Sequence, residues 1–448
     1  MAWNHMVRLD CTGARQTCGS SVAMQGFCIA RSGTQTGRAE LFPCGAVHVH
    51  GPNRRPHMNN TDSIWPPAPV FAGLRMAVVE HPLHFGQPAK TSRDTLTEKP
   101  TWFLVAENDQ GQIGLGECSL ILGLSPESKE QAHAELQRVA RSGRLDAMAV
   151  PASFPAVRFA VETAAWDLHG GGCGILAESA FTRGENSLDI NGLVWMSEVP
   201  DMMKQFDQLV AKGFTTLKCK VGAHDWDQEK TMLQAVRERC PSQEFVLRVD
   251  ANGAFSGIER DDARRRLQEL AELDIHSIEQ PLVPQDQDGL AALCDENILP
   301  IALDESLIGV HAMTERMRLL DHVKPQHLVL KPSLLGGLDS ATVWSRLAEQ
   351  RGMGWWVTSA LESNVGLSAI AQWVAVQPAL HSSNAPLPQG LGTGGLFTNN
   401  IPGTLEVVEG RLVTAKQSPR DDTRWREALL GAIRHEPGCA CGANHQGS

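Results

Sequence analysis

Short apolar runs, each closed by a polar residue and followed by a polar or amphipathic stretch, recur from about residue 188 to residue 390. Candidate strands are Leu188 to Trp195, Thr216 to Val221, Phe245 to Asp250, Ile275 to Glu279, Ile301 to Asp304, His327 to Lys331 and Trp355 to Ser359. Lys220, Asp250, Glu279, Asp304, Lys331 and Ser359, at or near the ends of these runs, follow one another at steps of 30, 29, 25, 27 and 28 residues. One strand plus its crossover helix needs about that length, so the alternation predicts parallel βα units. Upstream, Thr101–Val105 and Ile113–Glu117 read as paired strands around an Asn108-Asp109-Gln110-Gly111 turn. A helix is expected from Ser128 to Arg141, with Ser128 and Gln131 spaced as a capping box and Gly143 just past its end. Ala156 to His169 is a second helical run.

These elements predict an α/β protein: a (β/α) barrel over 151–390 with a smaller α+β domain over 71–150. Residues 1–70 show neither helical nor strand periodicity and leave through Pro66, Pro67 and Pro69, which reads as a poorly ordered extension. Met58 and Met76 are alternative starts, so whether the native protein carries the extension is open. Residues 416–448 read as a C-terminal tail.

Composition narrows the function classes. Forty lysines and arginines against 51 aspartates and glutamates leave a net charge of −11, a poor match to nucleic acid. No apolar run approaches the ~18 residues of a spanning helix, and Met1–Leu9 lacks a secretory pattern. Eleven scattered cysteines, an odd count, argue for reduced thiols and a cytoplasmic protein. The chain has no tyrosine, for which there is no physical account. The Gly390–Gly395 stretch lacks the Lys-Ser/Thr of a phosphate loop and reads as a turn after the eighth barrel strand. Cys439, Cys441 and His445 in the tail, and the cysteines and His48 and His50 of the extension, match no zinc spacing.

In a (β/α)₈ barrel the C-terminal strand ends converge on one mouth. Side chains alternate faces along a strand, so Lys218 and Lys220 share the face opposite Cys219, Arg248 shares one with Asp250, and Ser277 with Glu279. Asp250, Glu279 and Asp304 crowded into a partly apolar mouth need a counter-charge. A divalent cation supplies it, and an all-oxygen donor set favours Mg²⁺ or Mn²⁺ over Zn²⁺.

The Lys218-Cys219-Lys220 element, Asp250 in Arg248-Val249-Asp250-Ala251-Asn252-Gly253, Glu279 in Ser277-Ile278-Glu279-Gln280-Pro281, Asp304 in Ala302-Leu303-Asp304-Glu305 and Lys331 in Leu330-Lys331-Pro332 together resemble the enolase superfamily. More narrowly they are similar to its muconate-lactonising subgroup, and within it to the o-succinylbenzoate synthases of menaquinone biosynthesis. The resemblance runs from about residue 74 to 415. It implies an enolase-type barrel, a modified TIM barrel, with 71–150 as a capping domain to which 391–415 returns, Mg²⁺ held by Asp250, Glu279 and Asp304, Lys220 as the base and Lys331 as a cation on the opposite face. Lys218 would lower the pKa of Lys220 by like charge. Arg248 would pair with the metal carboxylates. Ser333 and Ser359 would hydrogen-bond substrate or serve structure, and Arg93 would lie on a Thr91-Ser92-Arg93 lid.

The implied substrate is a small carboxylate, 2-succinyl-6-hydroxy-2,4-cyclohexadiene-1-carboxylate, dehydrated to 2-succinylbenzoate. Two lysines across an α-carbon suit a dipeptide epimerase or an N-acylamino acid racemase as well, and that alternative stands. A barrel kept only for binding is disfavoured because both lysines and all three carboxylates are intact. No nucleic acid or membrane partner is expected, and oligomeric state is left open.

Overall fold

The computed structural model describes residues 65–90, 95–377 and 387–415. Most of the N-terminal extension, Arg93 with its proposed lid, and the tail with Cys439, Cys441 and His445 lie outside the described residues.

The capping unit opens with β1 (Arg75–Glu80), β2 (Leu83–Lys90), β3 (Thr95–Lys99), β4 (Thr101–Glu107) and β5 (Ile113–Ser119). Helix α1 (Lys129–Ser142) follows, then α2 (Pro155–His169). Strands β1, β4 and β5 form an antiparallel sheet in that order, and β2 and β3 form a separate hairpin. The expected Asn108–Gly111 turn joins β4 to β5, with Asn108 Oδ1 accepting from the N–H groups of Gln110 and Gln112. Helix α1 begins with the expected capping box: Ser128 accepts from the Gln131 N–H while the Gln131 side chain accepts from Ser128. It ends at Gly143, whose φ of 60° is the left-handed cap that glycine adopts at little cost.

Helix α2 is buried almost all round, as a helix between two layers must be. Ala156, Ala160 and Ala164 pack into the cap core, while Phe159 and Trp166 belong to the barrel core. Assigning it to the barrel alone, as the sequence suggests, therefore describes half of its packing. Gly114 and Gly116 of β5 permit the close approach: a Cβ on Gly116 would lie 1.8 Å from the Ala160 carbonyl oxygen.

The barrel begins at β6 (Leu188–Asp189) and β7 (Gly192–Val194), followed by α3 (Val199–Ala211), β8 (Thr216–Lys220) and α4 (Trp226–Arg239). It continues with β9 (Val246–Asp250), α5 (Arg260–Glu272), β10 (Ser277–Glu279), α6 (Gln287–Glu296), β11 (Ile301–Leu303) and α7 (Met313–Val323). The last units are β12 (His327–Leu330), a short α8 (Pro332–Leu335), α9 (Leu338–Glu349), β13 (Gly354–Val357) and α10 (Asn364–Ala375). Strands β7 to β13 form one parallel seven-stranded sheet in sequence order. Parallel bridges from Gln389 to Ile190 and from Gly390 to Thr358 insert residues 389–390 between the last strand and the first, completing the ring. Gly390 accordingly ends the closing strand and a turn over 392–395 leaves it, as the sequence reading has it.

Two expectations change at the ends of the chain. Trp65, read as part of the disordered extension, is buried in the barrel core with its ring 5.0 Å from that of Trp166; the three prolines after it hide that anchor from a periodicity argument. Of 391–415, only the first part reaches the cap, where Phe397 bridges Phe85 and Asn399 bonds the backbone at Pro82 and His84. The hairpin of β14 (Leu405–Val408) and β15 (Arg411–Thr414) instead pairs with β6 and buries Leu412 in the barrel core. Burying Leu412 is the gain that draws the hairpin there. Among the described residues no helix is long and apolar enough to cross a membrane.

Candidate active site

The strand registers assemble the site. Lys220 of β8 lies opposite Asp250 of β9, and Asp250 opposite Glu279 of β10. Asp304 directly follows β11 and Lys331 directly follows β12, so all five charged groups stand at C-terminal strand ends, as the spacing requires. The face assignment also holds: Lys218 reaches inward to Asp250, with Nζ 3.1 Å from Oδ2, and to Glu279, whereas Cys219 packs in the outer core.

Lys331 Nζ lies 2.5 Å from Asp304 Oδ2. Burial pulls the Lys331 ammonium down, but Asp304 and Glu305 outweigh it and the group ends above the usual lysine range. Lys218 follows the same pattern, with Asp250, Glu279 and Asp304 outweighing its burial. Lys220 does not: burial, reinforced by the like charges of Lys218 and Lys331, prevails over Asp250 and holds its amine below the usual range. Burial pushes Asp250 up, but Lys218, Lys220 and Lys331 bring it to about 2. Burial pushes Glu279 to about 7, against the pull of Lys218 and with Asp250 and Asp304 adding to the rise. The ring thus holds two ammonium groups, one amine shifted toward neutrality and a carboxyl short of positive charge.

The carboxylates are gathered around ammonium nitrogens rather than one point, and among the described residues no set of three His, Cys, Asp or Glu is a ready-made metal cluster. The donor chemistry nonetheless fits a hard divalent cation. Glu279 is fully buried and its Oε1 has no hydrogen-bond partner. An orphaned carboxylate oxygen beside Asp250 and Asp304 is where added positive charge stabilises most.

The other expected residues fall in different places. Arg248 is fully buried in the barrel interior, its guanidinium 4.0 Å over the Trp356 ring and bonded to the Pro388 carbonyl. Glu279 is the carboxylate that acts on it, without a direct ion pair. Ser333 and Ser359 both donate to Glu362, at 2.5 and 2.6 Å, so their hydroxyls are already engaged. Glu362 was not singled out from the sequence, although a glutamate among Ala360, Leu361 and Ser363 is a signal of burial with partners. Asn252 and Glu305 were missed as well; Asn252 has φ 43° and accepts from Lys220 Nζ at 2.5 Å. Leu83, Phe85 and Leu96 of the cap meet Trp195, Leu361 and Phe397 in one apolar cluster beside the barrel's strand ends.

Residues 201–419 match the family model described as Enolase C-terminal domain-like. An o-succinylbenzoate synthase from Desulfotalea psychrophila is 43% identical over 377 residues, spanning 76% of this chain and 99% of its own. An L-Ala-D/L-Glu epimerase from Bacillus subtilis is 25% identical, over 64% of this chain and 81% of its own. Among solved structures, MenC from Desulfotalea psychrophila superimposes with a TM-score of 0.67 at 40% identity, covering 77% of this chain and 100% of that one. The muconate lactonizing enzyme of Pseudomonas putida shares the fold, with a TM-score of 0.63 at 19% identity over 76% of this chain and 93% of that one.

Proposed function

This chain belongs to the enolase superfamily, on the branch that holds the o-succinylbenzoate synthases, and from that premise we propose that it dehydrates 2-succinyl-6-hydroxy-2,4-cyclohexadiene-1-carboxylate to 2-succinylbenzoate in menaquinone biosynthesis. The observation that carries the reading is the asymmetry of the two lysines across the ring. Lys220 is held toward the neutral amine and Lys331 is held as a cation by Asp304.

In this mechanism Lys220 Nζ takes the proton from the ring carbon bearing the carboxylate, and the C–H electrons move into the carboxylate as an enediolate. The electrons then return to form the ring double bond as the C–O bond to the neighbouring hydroxyl breaks. The Lys220 ammonium gives its proton to that departing oxygen, so water leaves from the face that lost the proton and the amine is restored. Lys331 faces the opposite side and offsets the developing negative charge, with the forming aromatic ring as a cation–π partner. Asp250, Glu279 and Asp304 are the residues that would hold Mg²⁺, or Mn²⁺ in its place. Bound there, the ion would supply positive charge to the substrate carboxylate. Lys218 is already paired with Asp250 and Glu279 and serves by its charge. Arg248 supports Glu279 from below, and Ser333 and Ser359 act by fixing Glu362.

A neutral lysine facing a lysine cation also suits a one-base, one-acid proton transfer, which keeps dipeptide epimerisation and N-acylamino acid racemisation as a second reading. The 43% identity to a synthase against 25% to the epimerase favours dehydration. A cytoplasmic location is part of the proposal, supported by Cys118, Cys219, Cys240 and Cys294 being free thiols. Product analysis by nuclear magnetic resonance, with the cyclohexadiene carboxylate, N-succinylamino acids and dipeptides offered separately, tests the assignment. Formation of 2-succinylbenzoate at a rate well above any racemisation is expected; racemisation alone would replace the first reading with the second.

A further inference from the structure

Lys220 is anchored by an amide rather than a carboxylate. Its Nζ donates to Asn252 Oδ1 at 2.5 Å. The Asn252 Nδ2 donates to Glu305 Oε1 at 3.0 Å, and its backbone N–H donates to Asp250 Oδ1 at 3.1 Å. One residue therefore touches the base, a metal carboxylate and a buried glutamate from the end of β11. Its φ of 43° lies in the left-handed region that asparagine tolerates better than most residues.

The partner is held just as firmly. Gln280 Oε1 accepts from the N–H groups of Asp304 and Ser306, which flank Glu305, and Gln280 Nε2 donates to Ser306 Oγ at 2.7 Å. The Gln280 carbonyl accepts from the Gly253 N–H at 2.7 Å, next to Asn252. Three consecutive strand ends are thus locked together behind the amine.

A primary amide has a donor end and an acceptor end, and only the acceptor end can receive a hydrogen from an ammonium. Glu305 Oε1 takes the donor end of the Asn252 amide and so leaves Oδ1 facing Lys220. We infer that Asn252 and Glu305 are positioning residues for Lys220: Glu305 sets the polarity of the Asn252 amide, and that amide fixes the amine in its attacking position. The inference deepens the reading of Lys220 as the base and rests on it.

Asn252→Gly removes the amide while suiting the left-handed backbone, and Glu305→Gln keeps the size but brings a donor to Asn252. Misplacing a reacting group by about 1 Å can cost about 100-fold, so kcat should fall on the order of 100-fold in the first variant and about tenfold in the second, with KM changed by less than about threefold. The deuterium isotope effect at the abstracted position should rise in both, because proton transfer becomes slower than release. A lower melting temperature with kcat and isotope effect unchanged would mean a purely structural role and would overturn the inference. Should the wild type fail to turn over the diene, the proposed substrate falls, but the relay is still read by acylation of lysines followed by mass spectrometry. Freed from its hydrogen bond to the amide, Lys220 should label about tenfold faster in Asn252→Gly while exposed Lys204 keeps its rate. Equal Lys220 labelling in both proteins would also overturn it.

Discussion

The role proposed for Lys220 as base rests on burial and two neighbouring cations, which disfavour its charged form against a reference lysine pKa of about 10.4. The sign is fixed: the neutral amine is the active form, so kcat/KM should rise with pH and level off through an apparent pKa below that of a free lysine. A pH profile that rises only above that value would remove Lys220 as the free-enzyme base. Much of this was legible in the sequence, because strand parity puts Lys218 and Lys220 on one face and the βα period brings Asp250, Glu279, Asp304 and Lys331 to one mouth. Asn252, Glu305 and Glu362 were not legible as partners. Their importance lies in contacts between the ends of different strands, at hydrogen-bond distances that spacing along one chain does not encode.

Local chemistry predicts the elements well where it is self-contained. The α1 capping box and the β4–β5 turn each depend on residues within a few positions of one another, and both appear as read. Helix α2 depends instead on a remote strand, and Gly114 and Gly116 are the mark of its close approach to β5. Replacing Gly116 with Ala places a methyl 1.8 Å from the Ala160 carbonyl oxygen, where backbone rather than a flexible side chain must yield. The expected cost is about 1–3 kcal/mol or more, as for other overpacked sites. Chemical denaturation measures it, and a variant as stable as the parent would show that the layers part easily. The strand read over Leu188–Trp195 divides into β6 and β7, and the β14–β15 hairpin joins β6 rather than the cap, for the same reason: short strands take their partners from tertiary packing, not from their own pattern.

Across the whole molecule, cap and barrel are joined by buried charge as well as by apolar surface. Glu117 of β5 is fully buried and accepts from Ser363 N–H at 2.8 Å, Ser363 Oγ at 2.5 Å and Gly366 N–H at 2.8 Å, capping α10 from the other unit. Substituting Ala strands buried donors at about 1–3 kcal/mol each, so the melting temperature of Glu117→Ala should fall by several degrees. An unchanged melting temperature would show that the junction does not depend on this cap. The junction meets the barrel next to Glu362, which orients Ser333 and Ser359, so cap docking and pocket shape are linked through neighbouring residues. The claim on which the rest depends is metal-dependent dehydration with Lys220 as base. Its most direct measurement is the loss of diene ultraviolet absorbance in purified protein given the cyclohexadiene carboxylate, with Mg²⁺ and then with chelator, beside Lys220→Ala. The account predicts turnover only with Mg²⁺, and a fall of about 10³-fold or more in the folded variant. Equal rates with chelator, or a Lys220→Ala protein near parental activity, would contradict it.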